Sequence, residues 1–131
     1  MNIIMISSLD HLIIAVKDLH QATSEYEKIF GITPCWKGRH EELGTENALF
    51  NFENTYLELL SPSDAGPGTE FIDNLLAEKG DHLAGMVLGT QNIEHTKHVL
   101  NKNGYAVEIS SGEAVNDKDG KIRRWKNIFL P

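Results

Sequence analysis

The sequence predicts an α+β domain made of two related halves, each a strand, a helix and a run of further strands. Two observations carry this. Apolar residues alternate in short runs, as half-buried strands do, and the runs are separated by capped stretches with helical spacing. The opening pattern also returns. Asp10-His11-Leu12-Ile13-Ile14-Ala15-Val16 is echoed by Asp81-His82-Leu83-Ala84-Gly85-Met86-Val87, with Asp, His, Leu and Val at the same offsets. Two copies of a roughly 60-residue unit read as a pseudo-symmetric pair sharing one core rather than as a solenoid.

Residues 10–17 alternate and predict a strand. Asp18 can cap the following helix, whose apolar stripe is Leu19, Ala22, Tyr26, Ile29 and Phe30, and Gly31 ends it. A strand is expected over 33–39, a polar loop over 40–44, and a hairpin from 46–52 and 56–60. The segment SPSDAGPG is the clearest linker, so the single domain over 1–131 divides into module one (9–61), linker (62–68) and module two (69–131). Residues 69–79 predict a short helix stopped by Gly80, and the echoed strand follows. A third helix over 93–103 has Asn92 as cap and Gly104 as stop. Strands are then expected over 105–109 and 122–130, joined by the turn-rich 116–120. Module two is one strand short of module one.

The bulk properties exclude several classes. Length fits one domain with its own core. The net charge of -7 argues against nucleic-acid binding, and the basic cluster of Lys121, Arg123, Arg124 and Lys126 is too local to reverse this. The apolar start at 1–6 lacks a basic leader and a cleavage site, and no apolar run approaches the roughly 20 residues of a membrane helix. With one cysteine, Cys35, no internal disulfide forms, which fits a cytoplasmic protein.

The chemistry-bearing residues are few. His11 and Glu58 each sit inside an apolar strand, where an ionised carboxylate is costly without a partner. Alternation puts His11 with Ile13 and Ala15, and Glu58 with Tyr56 and Leu60, so both can face one hollow. A shared divalent metal (Zn, Fe, Mn or Ni) would compensate the carboxylate; so would a His–Glu hydrogen bond without metal. His82 repeats the offset of His11, or is a surface histidine at a strand start. Arg39, His40 and Asn47 surround a polar loop and offer donors for an oxygen-rich ligand, or only stabilise the turn. His95 and His98 read as a wet helix face, and Cys35 beside Trp36 as packing.

The features Leu9-Asp10-His11-Leu12, Asp18, Gly31 and Tyr56-Leu57-Glu58-Leu59-Leu60 resemble the vicinal oxygen chelate superfamily of glyoxalase I, bleomycin-resistance proteins and extradiol dioxygenases. Gly38-Arg39-His40, Gly44-Thr45-Glu46-Asn47 and Trp125 are similar to its glyoxalase-like subgroup. The resemblance implies two βαβββ modules forming a cup, a homodimer, and a metal held by His11, Glu58 and His82. It also implies Glu58 as a proton acceptor, with Arg39, His40 and Asn47 orienting a small vicinal-oxygen substrate whose enediolate or oxyanion is stabilised. The lyase, isomerase and dioxygenase types all occur on this scaffold. The alternative is a non-catalytic sequestering protein of the bleomycin-resistance kind. A fourth ligand would lie on the last strand of module two, and Pro131 comes before it. The gap this leaves beside the strand at 84–88 is expected to be filled by residues 2–6, in cis or from a partner subunit, or by exchanged strands.

Overall fold

In the computed structural model, residues 5–63 and 66–130 are described. The elements are β1 (Ser8–Ala15), α1 (Leu19–Phe30), β2 (Trp36–His40), β3 (Thr45–Asn51), β4 (Tyr56–Pro62), α2 (Pro67–Lys79), β5 (His82–Gly89), α3 (Ile93–Lys102), β6 (Ile109–Asn116) and β7 (Ile122–Ile128). All seven strands belong to one curled sheet in the order β5-β1-β4-β3-β2-β6-β7. The two halves are thus joined twice, where β1 pairs antiparallel with β5 and β2 with β6.

Local chemistry sets the helix ends. Asp18 is extended and its side chain accepts from the Gln21 N–H at 3.0 Å, while Gly31 closes α1 in the left-handed region at φ 70°. Asn92 caps α3 in the same way through the His95 N–H. Replacing Asp18 with alanine leaves an N–H without its acceptor and is expected to cost about 1 kcal/mol, read from a urea melt.

The sheet has two differently used faces. Leu12, Ile14, Leu57, Leu59 and Phe50 pack beneath α1 with Val16, Ala22 and Phe30. On the other face Ala15, Leu60 and Ala84 pack against Ile72 and Leu76 of α2, which closes one end of the hollow. His11, Ile13, Glu58, Leu49 and Asn47 continue that concave face away from α2 by strict alternation.

Module two differs from expectation in one place. The strand expected over 105–109 runs instead over Ile109–Asn116. Its sequence, ISSGEAVN, has little apolar alternation and reads as a loop. Placement between β2 and β7 makes it a strand, because tertiary pairing outweighs weak β propensity. β5 and β7 are the two ends of the sheet, and no described strand lies between them. The Ser7 N–H donates to the Gly89 carbonyl, so the chain before β1 extends the β1·β5 ladder. Residues 1–4, part of the segment expected to fill the gap, lie outside the described residues.

Candidate functional site

The parallel register of β1 and β4 sets His11 opposite Tyr56 and Ile13 opposite Glu58. His11 and Glu58 therefore stand one pleat apart on the concave face. His11 Nε2 lies 3.2 Å from Glu58 Oε1, and His11 Nδ1 lies 2.8 Å from Asp10 Oδ2. The Tyr56 ring stacks on the imidazole, with centroids 4.3 Å apart and planes inclined by 14°. Asn47, on the adjacent β3, donates from Nδ2 to Glu58 Oε2 at 2.7 Å, and its Oδ1 accepts from the Trp36 indole N–H at 3.2 Å. A continuous polar chain thus runs Asp10–His11–Glu58–Asn47–Trp36 across four strands, β1, β4, β3 and β2.

His40 adds a second imidazole. It is buried, its Nδ1 is 2.9 Å from Thr45 Oγ1, and its Nε2 lies 3.9 Å from Glu58 Oε2. Trp125 of β7 meets it edge-on, with ring centroids 5.9 Å apart. Two glycines admit the indoles. A Cβ at Gly112 would run into the Trp125 ring, and one at Gly38 into the Trp36 ring and the Val115 carbonyl. Arg123, two residues before Trp125 and so on the same face, holds its guanidinium 5.2 Å from the centroid of the Trp36 ring. Trp36, Tyr56 and Trp125 thus contact Asn47, His11 and His40 on the concave face, with Glu58 buried among them.

The electrostatics follow from this packing. Burial alone would lower the pKa of His11, but its hydrogen bonds to Glu58 and Asp10 outweigh burial and raise it above the ordinary 6.5. Burial would raise Glu58, yet the bonds from His11 and Asn47 and the nearby imidazoles hold it below the ordinary 4.5. Burial lowers His40, opposed by the charge of Glu58. Burial, with the negative charge of Asp10, pushes the Tyr56 phenol up. His11 and Glu58 thus each favour the charged form of the other.

Linkage gives a testable sign. The raised His11 stabilises the fold fully below 6.5 and loses that contribution as pH rises through its folded value. The lowered Glu58 contributes above 4.5 and loses it as pH falls further. The lowered His40 runs the other way in the shared window, its contribution fading as pH falls below 6.5. A His11→Gln comparison cancels the His40 effect. The stability difference between wild type and His11→Gln is expected to peak between pH 4.5 and 6.5 and to shrink on both sides, measured by urea unfolding across pH.

The structure brings four of the expected site residues together and leaves two out. His11, Glu58, His40 and Asn47 converge. Arg39 does not: it lies between Gly38 and His40, so alternation turns it to the opposite face, where it bonds Glu41 at 3.1 Å and Asp117 at 2.8 Å. His82 pairs with Ala15 while His11 pairs with Val87, which puts it four residues, roughly 13 Å, along the strand from His11. Its Nδ1 lies 2.7 Å from the Gly80 carbonyl. The expected set of His11, Glu58 and His82 is therefore not one cluster. Among the described residues no group of three or more His, Cys, Asp or Glu side chains is placed to hold a metal. Catalytic zinc sites rest on three protein ligands, and both oxygens of Glu58 already accept hydrogen bonds. The residues present do not by themselves fit the divalent metal that the resemblance implies. Sequence reasoning missed Trp36, Tyr56 and Arg123. The signal for Arg123 was its alternation with Trp125.

The comparisons agree with this architecture. The family described as Glyoxalase-like domain matches residues 9–131, and the chain belongs to that family. Among solved structures, the methylmalonyl-CoA epimerase of Mycobacterium tuberculosis is 19% identical with a TM-score of 0.70, over 92% of this chain and 87% of that one. A Streptomyces coelicolor methylmalonyl-CoA epimerase variant in complex with 2-nitronate-propionyl-CoA is 21% identical with a TM-score of 0.68, over 92% and 96%. A hypothetical protein from Bacillus halodurans is 20% identical with a TM-score of 0.69, over 86% of each chain. At these identities the likeness is one of fold. No curated protein matches the chain.

Proposed function

We propose that this protein binds a small, oxygen-bearing molecule in the cup, against the His11–Glu58 pair. One observation carries the reading: a buried carboxylate is kept ionised by His11 and Asn47 on the concave face, beneath aromatic walls. Such pockets orient a ligand by a few fixed polar groups and bind it through apolar contact. Glu58 as proton acceptor is less favoured by its lowered pKa, since a general base works best near the operating pH. The binding reading therefore leads over the catalytic one.

A second reading is the metalloenzyme acting on vicinal oxygens with Zn, Fe, Mn or Ni. Asp10 favours it, because a carboxylate on the far ring nitrogen is how metal-binding histidines are commonly oriented. It needs donors beyond those the described residues bring to His11 and Glu58. Metal analysis of protein purified without chelator separates the two. The binding reading expects substoichiometric metal. Stoichiometric metal that is lost in His11→Ala would overturn it in favour of the metalloenzyme.

We also propose a homodimer in the cytoplasm. Support comes from β5, an end strand without a charged side chain, whose Leu83 and Met86 are 63% and 62% exposed. Bare apolar edges of this kind invite pairing with another chain. No described helix is long and apolar enough to cross a membrane.

A further inference from the structure

We propose that Arg123 is the anion-recognising residue of the cup and that the ligand is a planar, aromatic carboxylate. This rests on the binding reading above and names its ligand class. The chain has three arginines. Arg39 is paired with Glu41 and Asp117, and Arg124 with Glu113 at 3.0 Å, both on the convex side of their strands. Arg123 makes no ion pair among the described residues and lies instead over the Trp36 ring.

Its place is fixed from three directions. It alternates with Trp125, which touches His40. It covers Trp36, which is bonded to Asn47 and through it to Glu58. Its charge is also felt by Tyr56, the ring stacked on His11. A guanidinium over an indole can still present its N–H groups to a ligand, and their fork matches the two oxygens of a carboxylate. The same walls offer flat aromatic faces for a ring to lie against. Charge order points the same way. Among the described residues Glu58 and Asp10 both meet His11, whereas the exposed Arg123 has no carboxylate partner and lies over Trp36.

The test uses benzoate and its neutral partner benzamide, titrated into the full chain. The two indole N–H signals are the readout, because both tryptophans line the cup. Benzoate is expected to shift both signals and to bind about tenfold more tightly than benzamide, as a charge-assisted bidentate contact implies. Arg123→Gln is expected to erase that preference. Arg124→Gln, on the convex side, is expected to leave both affinities unchanged. Equal binding of the two compounds, with both lost in Glu58→Ala, would overturn the role of Arg123 and leave the cup standing. Failure of both compounds to move either indole signal would overturn the role of Arg123 and the binding reading together.

Discussion

Replacing Glu58 with alanine is expected to lower the unfolding free energy by about 3–5 kcal/mol and to abolish binding in the cup. Removing the carboxylate strands three groups at once. His11 loses the partner at 3.2 Å that raises its pKa, Asn47 loses the acceptor of its Nδ2, and His40 loses the charge that opposes its burial. Asn47 and His40 are buried, so water does not readily replace what was lost. Glu58→Gln separates charge from shape. It keeps the volume and one acceptor, and is expected to cost less than alanine while still lowering the His11 pKa. Urea unfolding followed by circular dichroism measures the first effect, and an indole titration the second. A Glu58→Ala protein as stable as wild type would mean that the polar chain is ornamental.

Phe50→Ala is expected to cost a similar amount, about 3–5 kcal/mol, by a different route. Phe50 is fully buried between β3 and α1, and Phe30 meets its ring edge-on with centroids 5.5 Å apart. Truncation removes apolar transfer energy and leaves a cavity that Val16, Leu57 and Leu59 close only in part. Set against a typical domain stability of about 5–15 kcal/mol, either substitution takes a large share. The two are distinguishable. Loss at Phe50 is independent of pH, whereas loss at Glu58 shrinks below pH 4.5, where the carboxylate protonates. Ile29, 70% exposed on α1, serves as control and is expected to tolerate alanine.

Much of this was legible in the chain because strand alternation is a strict rule. It allowed His11 and Glu58 to share one face of the sheet, and capped periodic stretches located α1 and α3. The same rule sets Arg39 apart from His40. Neighbours in a strand point apart, so Arg39 and His40 could not both enter one cup, and the buried one is His40. His82 stands apart for another reason. An echoed motif fixes an offset in sequence but not a register in space. The β1·β5 ladder slips at two places and delivers His82 opposite Ala15. Strand β6 was hidden because its Ser and Gly residues carry no apolar period; Gly112 is there to admit the Trp125 ring. Such a cross-strand demand belongs to the assembled sheet and leaves no local trace.

The central claim is that an imidazole from β1 and a carboxylate from β4 meet in the cup as a charged pair. A pH titration of the histidine ring nitrogens by NMR tests it most directly. His11 is expected to titrate above 6.5 with both nitrogens protonated below that point, and to fall in Glu58→Gln. A His11 that titrates at or below 6.5, and does not respond to Glu58→Gln, would contradict the account.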